Sequence, residues 1–100
     1  MTTELRVYAV RDGAMREFVE LFREQIVPLR RRLGFRVDGV WVDEASNTFA
    51  WVVSHDGPEG WEAAVDAYLR VRDAEIHPSP TGFVDRVTAT LVEPLAIPPG

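Results

Sequence analysis

The stretch from Phe18 to Trp41 constrains this chain more than any other: F-V-E-L-F-R-E-Q-I-V-P-L-R-R-R-L closes on Gly34 and passes at once into F-R-V-D-G-V-W. Met15, Phe18, Val19, Phe22, Ile26, Leu29 and Leu33 recur at three- and four-residue steps, which puts them on one buried helical stripe. Pro28 removes a backbone donor and predicts a kink near the end of that helix. A strand over Leu5 to Val10 precedes the helix. After it, Phe35 to Asp43 and Thr48 to His55 form a hairpin that turns through Glu44, Ala45, Ser46 and Asn47. A second helix over Pro58 to Arg72 takes Asp56 as its N-cap and buries Trp61, Ala64, Val65, Tyr68 and Leu69. The proline-rich stretch from His77 to Gly82 cannot continue it and leads to a last strand, Val84 to Glu93. Strand, helix, strand, strand, helix, strand is the split βαβ arrangement of an α+β domain. Residues 1–93 form this single domain, and 94–100 an extended C-terminal tail.

Both helical crossovers must lie on one face of the sheet, so strand alternation assigns the two faces. The richer apolar set is Leu5, Val7 and Ala9, then Phe35, Val37 and Trp41, then Phe49, Trp51 and Val53, then Val87, Ala89 and Leu91. That set is expected beneath the helices. The opposite set, with Arg6, Tyr8, Val40, Val42, Val52, Arg86, Thr88 and Thr90, is too apolar and β-branched to face water. It suits a second copy of itself, and a homodimer is expected with Arg6, Tyr8, Arg86 and Thr88 at the seam.

A net charge of -5 works against binding a polyanion, which needs clustered Lys and Arg, so nucleic acid is not an expected partner. With no cysteine there is no disulfide and no thiolate chemistry. No run approaches membrane-spanning length, and a soluble cytoplasmic protein is expected.

His55 closes the third strand in the parity of Trp51 and Val53, where its ring can reach a cavity between sheet and helices. An imidazole there can act as acid or base, which makes His55 the catalytic candidate; the alternative is a strand-end histidine half in solvent. His77 lies beyond the far end of the second helix, roughly 20 Å away at about 1.5 Å per residue, so the two histidines cannot form a dyad or share a metal within one protomer. No metal site and no cofactor are expected. Trp41, Trp51, Trp61, Tyr68 and Phe22 either line a slot for an apolar or aromatic small molecule or simply pack the core. Arg6 and Tyr8 either form a polar cluster at the seam or anchor a carboxylate or phenolate. Arg30, Arg31 and Arg32 complement the helix macrodipole and keep that end wet.

The chain resembles the NIPSNAP family within the dimeric α/β-barrel superfamily. The resemblance is carried by Glu4-Leu5-Arg6-Val7-Tyr8, Gly13, Phe18 to Phe22, Val27-Pro28-Leu29, Gly34-Phe35, Gly39-Val40-Trp41 and Asn47, and covers nearly the whole chain. It implies a ferredoxin-like βαββαβ protomer with an antiparallel four-stranded sheet that packs on the sheet of a second protomer. Members of the wider superfamily include cofactor-independent monooxygenases, polyketide cyclases and isomerases that place a histidine, tyrosine or tryptophan in a cavity between sheet and helices. The family itself implies no single activity; by analogy with the wider superfamily the expected function is small-molecule processing of that type on an aromatic or polyketide-like ligand, the alternative being a non-catalytic binding or accessory role.

Overall fold

The computed structural model describes residues Met1–Gly100. Four strands, β1 (Thr2–Val10), β2 (Arg36–Asp43), β3 (Thr48–His55) and β4 (Val84–Val92), form one antiparallel sheet in the order β2-β3-β1-β4. The first helix runs as α1 (Met15–Leu21), a π turn (Phe22–Ile26) and α2 (Val27–Arg32), and the second as α3 (Trp61–Glu75). A short 3-10 turn, Pro80–Phe83, feeds β4. No helix is long and apolar enough to cross a membrane.

Helix boundaries follow local chemistry. The disturbance expected at Pro28 is taken up just ahead of it by the π turn, one of the devices that bend helices. Gly34 ends the run at φ +89°, a conformation that only glycine adopts without strain, while Phe35 N–H closes on the carbonyl of Arg30 at 2.9 Å. The second helix starts later than the sequence suggests. Gly57 to Gly60 make a turn, with Gly60 N–H bonded to the Gly57 carbonyl at 3.3 Å, and Asp56 meets the Met1 amino group instead of capping the helix.

The helices cover one face of the sheet, and its composition differs from the expected one. Across β1 and β3 the register pairs Arg6 with Trp51 and Tyr8 with Phe49, so Arg6 and Tyr8 share the helix side with the buried aromatics. Tyr8 stands 5.8 Å from both Phe18 and Phe49, ring centre to ring centre. Leu5, Val7 and Ala9 therefore point to the open face, opposite Val52, Ala50 and Thr48. In β2 a bulge between Val37 and Gly39 inverts the parity: Val37 packs on the core, whereas Trp41 turns to the open face and is 60% exposed. Its indole lies against Gly39, where a Cβ would collide with the ring. On β4, Val87 sits with Tyr8 on the helix side and Arg86 and Thr88 on the open side.

Two corrections follow for the expected seam and slot. Arg6 and Tyr8 leave the seam set because β1 is turned over, and Trp41 leaves the slot because of the bulge. Arg86 and Thr88 keep their place on the open face, which carries Leu5, Val7, Trp41, Ala50, Val52 and Thr90 beside them.

Candidate functional site

A cavity of about 180 Å³ lies between the sheet and the two helices. Its floor comes from the helix side of the central strands, Tyr8 and Arg6 from β1 and Trp51 from β3; its walls are Arg30 from α2 and Tyr68 from α3, and Arg72 stands at the rim. Leu69 and Val87 line the same space and are 36% and 49% exposed, which places its mouth between α3 and β4.

The polar groups are tied into one system. The Tyr8 hydroxyl oxygen accepts from Arg6 Nε at 2.8 Å and from Trp51 Nε1 at 2.9 Å, which leaves its own proton free to donate. Arg6 also gives Nη1 to Glu4 at 2.8 Å, so that carboxylate is already engaged. Burial disfavours the Arg6 charge, yet Tyr8 and Glu4 outweigh it and the net shift is upward.

Arg30 is the outlier. It is 3% exposed, its guanidinium carbon lies 3.7 Å from the Tyr68 ring centre, 4.7 Å from Phe35 and 5.2 Å from Trp51, and its Nε and Nη1 have no hydrogen-bond partner in the protein. Burial pulls its pKa down, with Tyr68 opposing and Arg6 adding to the pull. Burial likewise raises the Tyr68 phenol against the attraction of Arg30, so that hydroxyl stays neutral. The run Arg30-Arg31-Arg32 reads as one solvated feature in the sequence, but only Arg31 and Arg32 are exposed, and Arg32 pairs with Glu75 at 2.7 Å. The overlooked signal was the four-residue row Phe18, Phe22, Ile26, Arg30, which continues the buried stripe.

His55 is not brought to the cavity. Its ring packs on Phe35 at 4.6 Å and is buried. Gly57 N–H donates to Nδ1 at 3.0 Å, which assigns the proton to Nε2; that atom faces the Leu33 carbonyl at 3.3 Å and the Glu59 carboxylate at 3.2 Å. Both nitrogens thus pin the end of α2 and the turn before α3 to the strand end. His55→Ala is expected to cost about 2–3 kcal/mol of folding stability, because it empties this pocket and strands the Gly57 N–H and the Leu33 carbonyl. Denaturant titration checks it, and an unchanged midpoint would refute the pinning role.

Of the slot residues, Trp51 and Tyr68 line the cavity. Phe22 stands behind Trp51 at 5.0 Å in the core, and Trp61 packs edge-on to Phe35 at 5.8 Å, away from the cavity. His77 sits in the loop after α3, its Nε2 against the Ala74 carbonyl at 3.2 Å.

No protein-family model and no curated protein matches the chain. Solved structures do. An uncharacterized NIPSNAP domain protein from Burkholderia xenovorans superposes with a TM-score of 0.79 at 16% identity, over 100% of both chains. A dimeric ferredoxin-like protein from an uncultured marine organism superposes at 0.68 with 12% identity, over 98% of this chain and 92% of that one. An antibiotic biosynthesis monooxygenase superposes at 0.67 with 16% identity, over 96% of this chain and 100% of that one. At such identities the likeness is one of fold: an α+β, ferredoxin-like fold of the kind these proteins share.

Proposed function

We propose that the protein binds a compact aromatic or polyketide-like small molecule in the cavity between sheet and helices, and does so as a cytoplasmic homodimer. The observation that carries the reading is the cavity itself: an aromatic wall of Trp51 and Tyr68 beside a Tyr8 hydroxyl whose proton is not consumed within the protein. Apolar walls supply affinity, and a few fixed polar groups orient the guest. The dimer is supported by the open face, where Trp41, Val52, Leu5 and Val7 lie side by side without a layer to cover them, and by the dimeric ferredoxin-like neighbour.

The monooxygenase neighbour supports an enzymatic version of the same site. There Tyr8, fixed by Arg6 and Trp51, would donate its hydrogen bond to a carbonyl or phenol oxygen of the guest, and His55 would take no part. Titration with phenol and toluene, followed by tryptophan fluorescence and an oxygen electrode, tests both versions. Saturable binding is expected, lost in Val65→Phe, which fills the cavity from α3. Oxygen uptake coupled to loss of the phenol identifies the enzyme, and binding without uptake the binding protein. No saturable binding of either probe would sink the reading.

A further inference from the structure

We infer that the guest is an organic anion, a single-ring carboxylate whose charge is received by Arg30. The inference rests on the cavity reading above and names its ligand class. The cavity is lined by Arg6, Arg30 and Arg72 and by no aspartate or glutamate. Arg6 is engaged by Tyr8 and Glu4, and Arg72 by Asp73 at 3.1 Å. Arg30 alone is buried with two nitrogens, Nε and Nη1, unused, its guanidinium faced by the rings of Tyr68, Phe35 and Trp51 and paired with no protein carboxylate. A guanidinium cannot shed its proton at ordinary pH, so burial leaves a fixed positive charge for a partner to satisfy. Its planar fork matches the two oxygens of a carboxylate.

The rest of the cavity has room for a single ring. An enclosed space of about 150 Å³ is enough for benzene; about 180 Å³ therefore seats one ring with its carboxylate. The ring would lie along Trp51 and Tyr68, with its charge toward Arg30 and any carbonyl or hydroxyl toward Tyr8. The protein's overall charge of -5 does not oppose this, because the field inside the cavity is set by the arginines at its wall.

Calorimetric titration of the intact protein with benzoate, benzamide and inorganic phosphate at fixed ionic strength tests the inference. Benzoate is expected to bind at least about tenfold more tightly than its neutral isostere benzamide, as charge-assisted bidentate contacts require. Arg30→Met, which keeps the bulk and removes the charge, is expected to bring benzoate down to the level of benzamide while benzamide binding persists. Equal binding of benzoate and benzamide by the unaltered protein, with phenol and toluene also bound, would overturn the anion and leave the cavity reading standing. Failure of all four aromatic probes would end both. Phosphate binding as tightly as benzoate would overturn the ring, and a benzoate preference that survives in Arg30→Met would overturn Arg30 as the receiving group. If Arg30→Met does not fold, Arg30→Lys is read instead: it keeps the charge without the fork and is expected to weaken benzoate alone.

Discussion

Val52→Glu is expected to turn the proposed dimer into a monomer of 11.3 kDa or to leave it unfolded. Val52 sits on β3 in the middle of the open face, with Leu5 opposite on β1 and Gly39 opposite on β2. A carboxylate there is tolerable in water and not in a closed seam, where an unpaired buried charge costs about 3–5 kcal/mol. That is a loss of two to four decades in association at about 1.4 kcal/mol per decade. Sedimentation equilibrium at micromolar concentration gives the answer. A glutamate variant that stays dimeric with its stability intact would move the seam away from this face.

Trp51→Ala is expected to be the most damaging change within one protomer. The indole is 1% exposed, meets Phe22 edge-on at 5.0 Å, lies under the Arg30 guanidinium and donates its N–H to Tyr8. Its loss removes a large buried ring, opens a void and frees the Tyr8 hydroxyl from one of its two anchors. The expected cost is about 3–5 kcal/mol, out of roughly 5–15 kcal/mol for a whole domain. For about 100 residues that lowers Tm by some 12–40 °C, at about 4–8 °C per kcal/mol. Trp51→Phe should recover most of it, since the ring returns and only the N–H donor is missing. If the phenylalanine variant is as unstable as alanine, the hydrogen bond to Tyr8 and not the packing holds this wall.

The elements were legible because each carries its own period: four-step rows for the helices, Gly34 at the first stop, and Asn47 at φ 55° in the hairpin turn. The faces were harder. In β1 the open side reads as the more apolar one, Leu5-Val7-Ala9 against Arg6-Tyr8-Val10, because the side that meets the helices also carries the charged Arg6 while the other is apolar enough to meet a partner. Counting hydrophobic residues then chooses the wrong side. What decides is size, since only an aromatic such as Tyr8 spans the gap to Phe18. The bulge that expels Trp41 did leave a trace, the isolated Gly39 inside a strand pattern. His55 misled for another reason. Parity placed it correctly beneath the helices, but parity says nothing about which part of that layer is filled, and Phe35 fills it there. Arg30 was hidden by its neighbours, because a run of three arginines reads as one solvated feature although only two of them meet water.

The wide turn at Phe22–Ile26 gives the chain an unusual evolutionary lever. Such a turn amounts to one extra residue threaded into an α-helix, and each residue advances the helix by about 100°. Loss of a single codon between 22 and 26 would close the wide turn to an ordinary α turn and leave both halves of the stripe seated, whereas the same loss between 27 and 29 would swing Arg30 around the axis and away from Trp51 and Tyr68. Where along this helix the gene changes length thus decides whether a charged side chain stays between sheet and helices, with no substitution needed at any cavity-lining residue.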